Sequence, residues 1–109
     1  MLINLTPHNI NLITDKGGVV IKSSGVARCS QEDILIGSVD GGIPSIPIYK
    51  TMYGEVIGLP DKEVEGTYYI VSLLVANALR GKRNDLLVVA KTIRNNEGQI
   101  VGCKGFARI

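Results

Sequence analysis

His8 is the only histidine in this chain of 109 residues, so a single imidazole bounds the chemistry. A zinc centre built on several histidines is excluded within one chain. Any Ser–His or Cys–His nucleophile would have to use this ring. Its setting, Leu5-Thr6-Pro7-His8-Asn9-Ile10, presents it from a turn or strand end, because Pro7 fixes its own φ and disfavours helix at Thr6. The hydroxyls and carboxylate nearest in sequence are Thr6, Thr14 and Asp15. Ser72 lacks the flanking glycines of a nucleophile elbow and reads as a helix cap. Cys103, in Gly102-Cys103-Lys104-Gly105, has the neighbouring cation of a reactive thiolate but reads more simply as an inward strand cysteine. Glu32-Asp33 and Asp61, Glu63 and Glu65 lack metal-ligand spacing. The second group alternates with Lys62 and Val64, the pattern of a solvated loop, so no metal site is expected.

Anion binding has more support. Arg80, Lys82 and Arg83 cluster together, and Asp85 is placed to orient one guanidinium. Arg94, Lys104 and Arg108 lie on the final hairpin predicted. Guanidinium forks match phosphate geometry. Tyr49, Tyr53, Tyr68, Tyr69 and Phe106 offer flat faces for stacking a base, and glycine beside Tyr53 and Phe106 allows a close backbone approach. The alternative is a solubilising charged face over a core that holds the aromatics. His8 is either a turn imidazole bonded to a carbonyl or a donor to a ligand.

The elements that must position these residues follow from composition. The length gives one domain, 1–109, with a sizeable core. Apolar residues make up 45% but aromatics only 5%, so the core is Ile, Val and Leu, which favours sheet. A net charge of +2 is too weak for a duplex-binding protein. Cys29 and Cys103 lack CxxC spacing and are expected as buried, reduced thiols. No secretory signal is read, and the run from Tyr68 to Ala76 is far short of the ~20 residues that span a bilayer. Short strands are predicted at Ile3–Leu5, Ile10–Ile13, Val19–Ile21, Val26–Cys29, Ile34–Ile36, Ile46–Tyr49, Met52–Ile57, Thr67–Val71, Leu86–Ala90 and Gln99–Phe106. Pro44 and Pro47 mark the Ile46–Tyr49 stretch as an edge. Asp15-Lys16-Gly17-Gly18 and Asn95-Asn96-Glu97-Gly98 are hairpin turns. One short helix is predicted at about 72–80, capped by Ser72 and ended by Gly81. Gly37 to Pro47 and Gly58 to Gly66 read as loops. The sum is an α+β fold, a mainly antiparallel curled sheet with one helix and a C-terminal hairpin. One helix cannot cover both faces, so the second face must curl on itself or bury against another copy, and a homo-oligomer is expected.

Leu5-Thr6-Pro7-His8, Tyr53-Gly54-Glu55-Val56, Gly58-Leu59-Pro60, Tyr69-Ile70-Val71-Ser72 and Gly102-Cys103-Lys104-Gly105-Phe106 together resemble a family of small bacteriophage and prophage proteins. The resemblance spans nearly the whole chain. It has no enzymatic assignment to transfer, but it implies a viral protein in the cytoplasm of an infected bacterium. Among small phage proteins, sponges that sequester nucleotide immune signals without cleaving them inhibit host defence and need no catalytic dyad. That context yields the leading expectation of a homo-oligomeric binder of a small phosphorylated nucleotide, with no cofactor, membrane or duplex nucleic acid. Arg83, Arg94 and Lys104 would neutralise phosphates, with Asp85 as orienter. Tyr53 or Phe106 would stack on a base, and Thr6 and His8 would donate hydrogen bonds. The rivals are a module that blocks a host protein through the Ile46–Tyr49 edge, a small hydrolase or lyase using His8, and a virion component.

Overall fold

A computed structural model describes residues 1–41 and 45–109. Its strands are β1 (Leu2–Asn4), β2 (Ile10–Thr14), β3 (Gly17–Ile21), β4 (Arg28–Asp40), β5 (Ser45–Ile57), β6 (Tyr68–Ile70), β7 (Leu86–Arg94) and β8 (Ile100–Arg108), with one helix, α1 (Leu73–Ala78), after β6. The fold is α+β and rich in antiparallel pairing. Six strands form one sheet in the order β1-β6-β7-β8-β2-β3, while β4 and β5 pair only with each other. The antiparallel ladders β2–β3, β4–β5 and β7–β8 carry most of the pairing. Three short parallel ladders, β1–β6, β6–β7 and β2–β8, join the pieces.

The six-stranded sheet curls until its two edges meet. Asn4, at the end of β1, bridges Ser23 just after β3, and the Ser24 amide donates to the Asn4 carbonyl at 2.8 Å. The Asn4 side chain secures this seam. It is fully buried, and its Nδ2 donates to the carbonyls of His8 (2.8 Å) and Ile21 (3.0 Å). Its Oδ1 accepts from the Thr6 amide (3.0 Å) and the Thr6 hydroxyl (2.6 Å). Every polar atom of this buried amide has a partner, which removes the cost of burying it.

The core has two parts, and β6 serves both, because successive side chains of a strand point to opposite faces. Tyr69 and Val71 join Leu5, Ala27, Val75, Ala76 and Leu86 on one side. Ile70 joins Ile10 and Cys103 on the other, with Phe106 packed at the margin. The helix covers only the first cluster. Ser72 is its N-cap, with an extended backbone and a hydroxyl that accepts from the Val75 amide at 3.3 Å. The helix stops at Ala78, two residues short of the expected end, and Gly81 turns the chain with a φ of +78°.

The largest departure from the sequence reading is the β4–β5 ribbon. Strands expected separately at Val26–Cys29 and Ile34–Ile36 fall largely within the 13-residue β4. Those at Ile46–Tyr49 and Met52–Ile57 merge into the 13-residue β5. The loop expected from Gly37 to Pro47 is therefore corrected. Gly37–Asp40 and Ser45–Pro47 are paired strand, and only 42–44 lie outside the described residues. The ladder absorbs its irregularity at register shifts between Cys29 and Gln31 and between Leu35 and Gly37. Pro47 is tolerated because each strand of a two-stranded ribbon has a free edge on which no N–H is required. Gly58–Gly66 is a loop held at two points. The Pro60 carbonyl accepts from Arg83 at 2.7 Å, and the Glu63 carboxylate accepts from the Asn84 amide at 2.6 Å.

Candidate functional site

A cleft of about 640 Å³ opens where the Thr6–Asn9 turn, the entry to α1 and strands β2, β7 and β8 converge. Its apolar surface comes from residues such as Ile10, Val71, Val88 and Val101. Its polar side chains are Thr6, His8, Asn9, Asn11, Ser72 and Thr92. Among the described residues, no carboxylate, guanidinium or ammonium lines it.

Local structure explains how these groups are aimed. Asn4 and Thr6 form an Asx turn, with the Thr6 amide on Asn4 Oδ1. The Thr6 hydroxyl also donates to the His8 carbonyl at 3.0 Å. The His8 backbone is thus held by two side chains while its ring stays exposed. Asn9 Oδ1 accepts from the Ser23 amide at 3.0 Å, and Asn11 Nδ2 donates to the Val101 carbonyl at 3.1 Å. Each of these amides keeps one end unengaged. Among the described residues, the His8 ring, Asn9 Nδ2, Asn11 Oδ1 and the Thr92 hydroxyl have no intramolecular partner. Gly102 keeps the wall open, since a Cβ there would lie 3.0 Å from the Asn11 carbonyl oxygen.

Of the residues given a ligand-binding role from the sequence, only Thr6 and His8 line this cleft; Ser72 and Cys103, read from the sequence as a helix cap and an inward strand cysteine, line it too. Arg83 and Asp85 form a bidentate ion pair at 2.9 and 2.7 Å, with side chains only 12% and 7% exposed. The Asp85 hydrogen bond raises the pKa of Arg83 above its ordinary value, although burial opposes this. Two of the guanidinium nitrogens serve Asp85, and Nη1 serves the Pro60 carbonyl. Arg83 therefore braces a loop. Arg94 donates through Nη1 to the Gly98 carbonyl at 2.7 Å, leaving Nε and Nη2 without a partner among the described residues. It pairs in register with Ile100, a cleft residue. Lys104 is exposed on β8, and Phe106 is half-buried against the second core cluster.

Tyr53 stands apart, in a smaller hollow of about 370 Å³ at the foot of the ribbon. There it meets Thr51, Glu55, Leu79 and Lys82, so one member of the basic cluster and one aromatic do come together. Sequence reasoning passed over Asn4, Asn11 and Thr92. Asn4 left a trace: an asparagine between Ile3 and Leu5 is a poor strand residue, and Thr6-Pro7 after it favours an Asx turn. Asn11 left none, because its role depends on the parallel pairing of β2 with β8, strands distant in sequence. Thr92 lies beyond the strand end expected at Ala90, on the part of β7 that pairs antiparallel with β8 at Cys103.

No family model, no curated protein and no solved structure matches this chain. No helix among the described residues is long and apolar enough to cross a membrane.

Proposed function

We propose that the chain is a non-enzymatic binding protein whose cleft receives a small phosphorylated nucleotide by its nucleoside end. The observation that carries this reading is the combination of the cleft's volume and its lining. Ligand pockets run from ~300 to 1,000 Å³ and join apolar walls to a few fixed polar groups. Here the unengaged groups are neutral donors and acceptors, suited to base edges and ribose hydroxyls. Arg94, paired in register with the cleft residue Ile100 and with two guanidinium nitrogens free among the described residues, is the cation assigned to a phosphate. Together with the resemblance to phage proteins, this makes the ligand a nucleotide immune signal, held without turnover in the host cytoplasm.

Calorimetry and thermal shift with cyclic dinucleotides, cyclic ADP-ribose isomers and their parent nucleosides test the reading. Saturable binding and recovery of unchanged nucleotide are expected. Thr92→Val and His8→Ala should each weaken it by about threefold to tenfold, the worth of one hydrogen bond. Tyr53→Ala should leave it unchanged. Absence of binding across the panel, or binding indifferent to Thr92 and His8, overturns the reading. Product formation abolished by His8→Ala would establish the hydrolase alternative instead.

A further inference from the structure

The β4–β5 ribbon leaves much of the molecule's apolar surface uncovered. Among the described residues, nine large apolar and aromatic side chains between Ile34 and Tyr53 are 37–62% exposed. At ~200 Å² for a large side chain, they leave on the order of 800 Å² in water. The largest apolar patch on a monomer is ~300–600 Å² and often functional, and each face of the ribbon carries one of that size.

The register divides this surface. Glu32 faces Met52, Ile34 faces Lys50, Gly37 faces Ile48 and Val39 faces Ile46. The alternation of β5 puts Met52, Lys50, Ile48 and Ile46 on one face. That face carries five large apolar side chains, one acid and one base. Glu32 and Lys50 lie diagonally on adjacent rungs. A twofold stacking of the face on itself, centred on those rungs, brings each Lys50 beside Glu32 of the second copy. The apolar share of the face is on the order of 400 Å². Completed by the polar two-fifths typical of an interface, it reaches ~700 Å² per copy, close to the ~800 Å² of a stable complex. A twofold interface must be self-complementary, and this face satisfies that condition in both size and charge.

We infer that the ribbon is a dimerisation arm, and that its occupant is the same ribbon face of a second copy of this chain. The inference is independent of the cleft, because failure to bind nucleotide would leave the assembled mass untouched.

Light scattering on the size-fractionated full chain tests it. At micromolar concentration the expected mass is twice 11.7 kDa, or an even multiple of it. Ile48→Lys should release the 11.7 kDa chain with an unchanged circular dichroism spectrum, whereas Tyr49→Ser, on the opposite face, should not. Glu32→Lys and Lys50→Glu remove no apolar surface. Each should weaken dimerisation by on the order of 10–100-fold through like-charge contact, and the double exchange should restore it. A monomeric wild-type chain, or charge reversals that neither weaken the dimer nor compensate each other, would overturn the inference.

Discussion

Ile70 and Ile36 are the same residue in the same kind of strand, yet one is fully buried and the other is 62% exposed. The contrast separates the curled six-stranded sheet from the ribbon. In the sheet, both faces of β6 meet other elements, so alternation sends Tyr69 and Val71 one way and Ile70 the other. In the ribbon, alternation sends Ile34 and Leu35 to opposite faces, and each remains largely in water. Apolar composition alone does not create a core. A sheet face is buried only when a second layer arrives, and an isolated two-stranded ribbon has none. The separation shows in the overall shape. The radius of gyration is 17.5 Å, against about 13 Å for a compact chain of 100 residues.

The largest way to sharpen this comparison lies in the sheet. Ile70→Ala should cost about 4 kcal/mol, because the second core cluster is held between strands and cannot collapse into the cavity. Urea denaturation followed by circular dichroism measures it. Asn4→Leu comes next, at about 3 kcal/mol. It removes four hydrogen bonds, leaving the Ile21 carbonyl without its side-chain partner and the His8 carbonyl with the Thr6 hydroxyl alone. This substitution tests whether the seam between β1 and the segment after β3 is a polar lock. If the added apolar volume were tolerated without loss, the lock would be of no consequence.

Asp85→Ala should cost about 3 kcal/mol, slightly less because the Arg83 guanidinium can reach water once released. The pH dependence has a definite sign. The raised pKa of Arg83 means its contribution is complete below the ordinary arginine range and is lost only as pH climbs through the raised value. The wild-type stability therefore owes no slope to this group at neutral or mildly alkaline pH. A difference in urea midpoint between wild type and Asp85→Ala to which Arg83 adds no slope across that range checks this, and Arg83→Lys, which keeps the charge but not the fork, should cost only part of that difference.

Local signals were legible where they decided local structure. Ser72 at the N-cap, Gly81 past the helix and Asn95–Gly98 in the terminal turn all follow from side-chain and backbone preferences that need no partner. The α+β class followed from strand-forming triplets around one helical stretch. The ribbon's length was not legible, since Gly37 and Pro47 break strands in most contexts and are tolerated here only by a register shift and a free edge. Of the candidate site's ligand-binding groups, the sequence made Thr6 and His8 legible, which share a turn, while Ser72 and Cys103 were legible only as a cap and an inward cysteine. Arg83, Lys104 and Tyr53 were grouped by chemistry, but grouping charged residues along a chain says nothing about which face each strand presents. Parallel pairing of β2 with β8, fixed by contacts distant in sequence, brings Asn11 to the cleft, and Thr92 reaches it through antiparallel pairing of β7 with β8, past the strand end expected at Ala90.

The smallest effect is the one that could break the comparison. Ile36→Ala removes the same atoms as Ile70→Ala, from a side chain that lies at the register shift between Leu35 and Gly37. Cys29 and Val56 at the foot of the ribbon pack on the core; if the ribbon beyond them contributes nothing to it, the change should stay within ~0.5 kcal/mol, as for other exposed positions. The measurement belongs at a protein concentration low enough that contacts between copies do not contribute. A loss approaching that of Ile70 would mean that the ribbon folds back on its own body in solution. The division into a buried sheet and an uncovered arm would then fail, and the dimerisation arm would fail with it.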